Sequence, residues 1–145
     1  MSIAIISTSS ISIDTFLIDH LYELNNKYKK LDIYVISNLK NTNHRNNSFI
    51  YKNIRFSRKI SLINDLISII KLFILLKKIQ PRLIISISPK VGLLTAINSK
   101  ILKIKNIHYI TGQVWANKKG IKKWILKNVD KFTYKNTFRC LCDSE

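Results

Sequence analysis

The chain has 145 residues, enough for one domain with a real core, and its apolar content of 46% excludes wholesale disorder. Its formal net charge, 25 − 8 = +17, is extreme for this size. That charge favours an anionic partner, which leaves nucleic acid, anionic lipid and a phosphorylated substrate open, although much of the lysine excess can equally serve only to solvate the surface.

Apolar runs that end in polar clusters alternate with helical patterns along the chain. The predicted strands are Ile3–Ile6, Leu31–Ile36, a short one within Phe49–Ile54, Leu83–Ile87, Ile107–Ile110 and Arg139–Cys142. The predicted helices run from a cap at Asp14 or Thr15 to about Lys27, from a cap at Ser61 to Ile79, over Val91–Leu102, and from Ile121 to about Asn136 with room for a break near Asp130. Because strands separated by helices need crossover connections, the pattern predicts an α/β fold with a parallel sheet, and Leu83–Ile87 is expected near its centre.

The polar clusters that follow these strands mark where a ligand should bind, since parallel sheets bind ligands at the carboxyl ends of their strands. Ser9 and Ser10 belong to a serine-rich loop whose hydroxyl and N–H groups suit an anion or a sugar. Ser88 and Lys90 open the helix after the central strand, in a phosphate-type position. Each cluster also fits an ordinary turn.

A third cluster follows Ile107–Ile110. Thr111 and Gln113 offer hydrogen bonds, Gly112 allows close backbone approach, and Trp115 offers a flat apolar face to a sugar ring or an isoprenoid chain. The alternative for Trp115 is a core anchor.

No catalytic group stands out. His20 is expected to pack on a helix, His44 to lie in an exposed loop, and His108 to lie near the start of a strand, without the partners of a triad. Asp14 is the weak candidate for a general base, and a helix cap is its alternative role. The sequence suggests no metal site and no bound cofactor.

Two basic clusters fit an anionic membrane surface. They comprise Arg55 and Arg58, and Lys118, Lys119, Lys122 and Lys123 together with Trp124. Nucleic acid is the less favoured partner, and a solvated helix face is the ordinary explanation. Ile60–Ile79 carries too many charges to span a bilayer.

Cys140 and Cys142 are expected to be free thiols, buried or half-buried, in a reducing cytoplasm. Met1 leads directly into a strand pattern, so no secretory leader is predicted. The last strand is followed by only Asp143-Ser144-Glu145 and lacks its helix, so we expect half of a larger protein.

The chain resembles the amino-terminal domain of a bacterial glycosyltransferase family 4 enzyme of the polysaccharide or O-antigen type. The resemblance rests on IAIIST with its serine-rich loop, IRFSRKISLINDL, IISISPKVGLLTA, IHYITGQVWANKKGIKKWILKNVDK and the closing CLCDSE, which together cover most of residues 3–145. It implies one Rossmann-like half of a two-domain GT-B architecture, with the donor-binding domain and its Glu-x7-Glu signature absent.

The resemblance also implies a function. The domain would bind the acceptor of a hexosyltransferase that moves a sugar from a nucleotide-sugar to a lipid-linked glycan, at the inner face of the cell membrane, and would be inactive alone. No metal is implied, and a separate chain could supply the donor-binding half. The rival interpretations are a non-catalytic basic α/β module that binds nucleic acid, and a small nucleotide-binding or flavodoxin-like domain.

Overall fold

A computed structural model describes residues 1–39, 48–57 and 61–142. The strands are β1 (Ser2–Ser7), β2 (Asp32–Ser37), β3 (Ile50–Asn53), β4 (Leu83–Ile87), β5 (Lys105–Ile110) and β6 (Arg139–Cys142). The helices are α1 (Ser10–Phe16), α2 (Ile18–Lys27), α3 (Leu62–Ile79), α4 (Pro89–Leu102) and α5 (Gly120–Lys135). The predicted alternation of strands and helices is therefore confirmed, with β4 and β6 bounded as expected.

All strand pairs are parallel, in the order β3-β2-β1-β4-β5-β6. The β1 strand lies in the middle, pairing Ile5 with Val35 on one side and Ile85 on the other. The β4 strand is central, as its apolar sequence predicts. In such a sheet every strand ends at the same edge, which we call the carboxyl edge.

Each face of the sheet packs on its own set of helices. On one face Ile3 and Ile5 pack with Ile13, Leu17 and Leu21 of the α1–α2 region. On the other face, residues from β1 and β4 pack with Leu72 and Leu76 of α3 and with Val91 and Leu94 of α4. We call this second face the α3–α5 face, since α5 also contacts α4.

The closest packing on the α3–α5 face occurs between α4 and β5. A Cβ atom built on Gly92 would overlap the imidazole ring of His108. His108 is only 2% exposed, and its Nδ1 lies 3.0 Å from Ser86 Oγ and 3.2 Å from the Ser86 carbonyl oxygen. Burial lowers the pKa of His108, and the backbone hydrogen bond to Ser86 offsets part of that change. This histidine is a packed core group, which requires glycine at position 92.

Three sequence expectations were wrong. The first helix starts at Ser10, so Asp14 lies inside α1 and is not its cap, and a break at Leu17 separates α1 from α2. His20 is exposed, and α5 runs through Asp130 without a break.

The two cysteines are free as expected, but both are exposed. The physical reason is their position, because β6 is the outer strand of the described sheet and all four of its residues are exposed.

Candidate functional site

A cleft opens at the carboxyl ends of the first three strands. Its volume is about 830 Å³. The lining residues are Thr8, Ser9, Ser10 and Ile11 after β1, Asn38 after β2, Arg55, Phe56 and Ser57 after β3, and Asn64, Ile67, Ser68 and Lys71 on α3. Among the described lining residues, hydroxyl and amide groups dominate, the two charged side chains are cations, and none is a carboxylate. Such a wall suits a polyhydroxylated ligand that carries negative charge.

The wall formed by α3 is held against the end of β3 by one buried serine. Ser68 is 3% exposed, and its Oγ lies 2.7 Å from the carbonyl oxygen of Asn64 and 3.3 Å from that of Arg55. Phe56, 2% exposed, packs in the core beside it. The backbone of Arg55 is thereby fixed, while its side chain remains exposed at the cleft. The cleft thus has a base that the buried Ser68 holds by hydrogen bonds, and it has an exposed cationic side chain.

The loop after β1 contributes the two serines that the sequence singled out. Ser9 and Ser10 both line the cleft, and the Ser9 N–H lies 3.4 Å from Ser7 Oγ, which supports the turn. Asp14, the candidate base, lies about one turn further along α1, is exposed, and does not line the cleft.

In the turn after β4, Ser88 has an unfavourable backbone conformation and Lys90 forms an ion pair. Ser88 has φ +83°, which non-glycine residues rarely adopt, and its buried Oγ has no hydrogen-bond partner in the described structure. Lys90 Nζ lies 2.6 Å from Oδ1 of Asp65, so this ion pair ties the start of α4 to the first turn of α3. Neither Ser88 nor Lys90 lines the cleft.

The loop after β5 lies at the same edge but outside the cleft lining. Thr111, Gly112 and Gln113 are exposed, and Gly112 adopts φ +150°, which favours glycine. The ring of Trp115 is flanked by the ammonium groups of two lysines of α5, Lys123 at 5.9 Å and Lys127 at 5.6 Å from its centroid. The structure therefore brings Ser9, Ser10 and Arg55 together in the cleft. The predicted site residues after β4 and β5 lie outside the lining of that cleft.

Trp115 and the helix residue Tyr134 both influence a buried carboxylate of α5. Asp130 is 8% exposed, and burial raises its pKa. The polar groups of Trp115 and Tyr134 partly oppose that rise in pKa. The pKa of Tyr134 is raised to about 12, by burial first and then by the negative charge of Asp130. Trp115 is partly buried beside α5, and its ligand-binding role stays a prediction.

The predicted membrane patch is divided between two elements. Arg55 belongs to the cleft, whereas Lys118, Lys119, Lys122, Lys123 and Trp124 lie at and just before the start of α5, all exposed. The indole of Trp124 is 69% exposed. Arg58 and His44 lie outside the described residues.

The sequence analysis missed the wall of the cleft that α3 forms. Asn64, Ser68 and Lys71 are spaced four and three residues apart, which places them on one face of the helix. A polar stripe of this kind on an otherwise apolar helix is a detectable signal, but the strand-end clusters alone were used to predict the site.

The described residues contain neither a candidate metal site nor a candidate membrane-spanning helix. Within residues 1–39, 48–57 and 61–142, no three His, Cys, Asp or Glu side chains are grouped so that they could hold a metal ion. Among the helices of those residues, none combines the length and apolar character needed to cross a membrane.

No family model matches the chain, and a search of curated proteins finds no match. Solved structures do resemble it. Over 99% of its length it is similar to apo UGT2 of Phytolacca americana, at TM-score 0.69 and 8% identity, covering 46% of that chain. It is similar over 99% to UDP-GlcNAc 2-epimerase of Methanocaldococcus jannaschii, at TM-score 0.63 and 15% identity, covering 40% of that chain. The Neisseria meningitidis UDP-GlcNAc 2-epimerase bound to UDP-GlcNAc matches over 98%, at TM-score 0.63 and 11% identity, and 40% of it is covered.

At these identities the likeness concerns the fold. The chain spans less than half the length of these three neighbours. Its six-stranded parallel sheet, with helices on both faces, is a Rossmann-like α/β fold that matches one half of these GT-B-like structures.

Proposed function

We propose that this chain is the acceptor-side domain of a glycosyltransferase of the family 4 type that builds cell-surface polysaccharide such as O-antigen. The whole enzyme would move a hexose from a nucleotide-sugar to a lipid-linked glycan. A donor-binding domain, on the same or a separate chain, would complete it, and the domain alone would be inactive. Two of the neighbours support a nucleotide-sugar as co-substrate: one is bound to UDP-GlcNAc, and UGT2 is complexed with UDP-2fluoro-glucose and pterostilbene.

The observation that carries this proposal is the composition of the cleft. Besides Ser68, whose hydroxyl is engaged with the carbonyl oxygens of Asn64 and Arg55, six described lining side chains bear hydroxyl or amide groups that can bond to sugar hydroxyls: Thr8, Ser9, Ser10, Asn38, Ser57 and Asn64. The cations Arg55, in the segment after β3, and Lys71, on α3, both line the cleft, so together they can bind the diphosphate of the lipid carrier.

The other predicted residues have proposed roles at the same edge. Ser88, Lys90, Thr111, Gly112, Gln113 and Trp115 would border the acceptor on the side of β4 and β5. The basic residues Arg55, Arg58, Lys118, Lys119, Lys122 and Lys123, with Trp124, would hold the domain on the anionic inner leaflet.

The proposed reaction forms one bond and breaks one. An acceptor hydroxyl oxygen bonds to the anomeric carbon of the donor, and the bond from that carbon to the nucleotide's phosphate oxygen breaks. The nucleotide diphosphate leaves with the bond's electron pair, and the hydroxyl proton passes to a base or to that phosphate. Asp14 is the candidate base in this chain.

Calorimetric titration with a water-soluble, short-chain isoprenyl diphosphate sugar tests the proposal. We expect saturable binding that Arg55→Ala and Lys71→Ala each weaken roughly tenfold, because each removes a charge-assisted hydrogen bond. Lys77→Ala is the matched control, since Lys77 is exposed on the same helix and does not line the cleft.

Two results would contradict this function. A chain that binds UDP-GlcNAc in the cleft but not the isoprenyl diphosphate sugar would favour a sugar-nucleotide epimerase half, the class of two of the neighbours. Tight, steeply salt-dependent binding to DNA or RNA, with no acceptor binding, would favour the nucleic-acid module.

A further inference from the structure

The outer face of α3 is apolar along most of its length. Its exposed aliphatic side chains form what we call the α3 stripe: Ile63 (75% exposed), Leu66 (58%), Ile67 (44%), Ile70 (49%) and Ile74 (61%). Their spacing repeats every three or four residues, so they lie on one side of the helix. The opposite side packs on the sheet through Ser68, Leu72 and Leu76, which are buried.

A helix on a protein surface normally presents a polar face to the solvent. Single exposed apolar side chains are ordinary, but a contiguous row of them indicates a surface that another partner covers. Here α3 already contacts the sheet with its inner face, and in the described part of the chain nothing covers the stripe. The stripe therefore needs an occupant from outside these residues.

The charges around the stripe favour an anionic occupant. Lys77 and Lys78 are exposed at the end of α3, while Asp65, the acidic residue of this helix, is held by Lys90. A second copy of the chain would bring another net charge of +17 against the first, which opposes self-association. An anionic lipid surface satisfies both the aliphatic side chains and the lysines.

The stripe also borders the candidate site. Ile67 belongs to the stripe and to the lining of the cleft, and Lys71, one turn later, lines the cleft as well. Both α3 and α5 follow a strand of the parallel sheet, so both begin at the carboxyl edge, and both lie on the α3–α5 face. The start of α5 exposes Ile121 (78%) and Trp124 (69%) there.

We propose that the α3 stripe is the surface that rests on an anionic lipid bilayer, with its aliphatic side chains in the headgroup–acyl boundary and the mouth of the cleft beside it. A lipid-linked substrate could then pass from the bilayer into the cleft without leaving the membrane. The nature of that substrate rests on the proposed function, whereas the lipid contact itself does not.

Co-sedimentation with vesicles tests this contact on the chain itself. The probe is phosphatidylcholine vesicles with and without phosphatidylglycerol. The test variant is Ile63→Gln/Leu66→Gln/Ile70→Gln. Its matched control is Ile50→Gln/Ile101→Gln/Leu141→Gln, which makes the same three chemical changes at exposed positions elsewhere (37%, 61% and 46% exposed).

We expect the wild-type chain and the control to bind the anionic vesicles far better than the neutral ones. The stripe variant should partition roughly 100-fold more weakly, because three aliphatic side chains no longer enter the boundary. Circular dichroism and urea unfolding of the three proteins establish that each is folded as the wild type is.

Three results would overturn the inference. They are equal partitioning of the stripe variant and the control, equal binding to neutral and anionic vesicles, and a wild-type dimer in sedimentation equilibrium that the stripe variant abolishes. Stripe-dependent vesicle binding without any binding of the isoprenyl diphosphate sugar would support this inference and refute the proposed function, so the two can fail separately.

Discussion

The helices α3 and α4 lie side by side on one face of the sheet, yet they use their side chains in opposite ways. Buried positions in α4 include the polar residues Thr95, Asn98 and Ser99, whose side chains bond to carbonyl oxygens of their own helix. The longer α3 is rich in leucine and isoleucine, but only Ser68, Leu72 and Leu76 are buried. The extent of burial follows from the position of each helix. Among the described helices, α4 packs between α3 and α5, whereas α3 packs extensively on α4 alone.

The comparison of α3 with α4 separates the leucine and isoleucine side chains that build the core from those that remain exposed. The core of the domain uses the inner face of α3 and seven of the 14 residues of α4. The outer face of α3 adds little to that core, and its aliphatic side chains are better explained by a contact outside the domain. Stability measurements can separate these two uses of leucine and isoleucine.

The largest expected difference is within α3 itself. Leu72 is 0% exposed and Ile70 is 49% exposed, two residues apart. Leu72→Ala should lower the free energy of unfolding by about 2–5 kcal/mol, since it leaves a cavity in the core. Ile70→Ala should change it by less than about 0.5 kcal/mol. Urea unfolding measures both, and equal losses would mean that the α3 stripe is part of the core.

A substitution that overpacks the space beneath α4 should lower the free energy of unfolding somewhat less than Leu72→Ala does. Gly92→Ala should lower the free energy of unfolding by about 1–3 kcal/mol, because the added methyl group overlaps the ring of His108. Gly120→Ala is the control, since its Cβ would meet nothing within 4 Å and only its φ of +60° opposes alanine. The double variant Gly92→Ala/His108→Ala should show a favourable coupling energy, and strict additivity would contradict the clash.

The starts of the two helices should respond in opposite directions to glycine. Ser88→Gly should raise the free energy of unfolding by about 1 kcal/mol, because glycine accepts φ +83° without strain. Ser61, which precedes α3 with φ −149°, has no such strain. Ser61→Gly should lower stability by roughly a few tenths of a kcal/mol. A loss of stability in both variants would refute strain at Ser88.

The subtlest expected effect is a pH dependence from the histidine under α4. The pKa of His108 in the folded state lies below its ordinary value of 6.5, so the unfolded chain binds the proton more readily. The stability that neutral His108 provides is therefore complete above pH 6.5 and declines as the pH falls below it, towards the lowered folded-state pKa.

Urea unfolding at a series of pH values measures this decline. A His108→Gln variant, which does not titrate there, should be less stable at neutral pH and should lack the extra slope below pH 6.5. Identical slopes in the variant and the wild type would show that another group is responsible.

Much of this fold could be predicted from the sequence, because buried parallel strands are marked by β-branched runs. The bounds of β4 and β6 were predicted to the residue, and the order of elements led directly to a parallel sheet. The start of α1 at Ser10 was not predicted, because serine favours helix caps and loops. Such a residue enters a helix only where tertiary packing stabilises it there.

The site was predicted less completely. The strand-end rule located Ser9 and Ser10 correctly at the cleft, but it could not identify Lys71, which reaches the cleft from the middle of a helix. The binding role predicted for Trp115 remains untested. Its side chain influences the pKa of Asp130, fifteen residues away, a relation that spacing alone does not reveal.

Amide chemical-shift perturbation by an acceptor analogue tests the acceptor-binding role most directly. The ligand is the short-chain isoprenyl diphosphate sugar, titrated into isotopically labelled protein. We expect the affected amides to cluster at residues 8–11, 55–57 and 64–71, around the cleft, with smaller changes along α5. Perturbations confined to α5, or none while UDP-GlcNAc perturbs the cleft, would contradict an acceptor-binding domain.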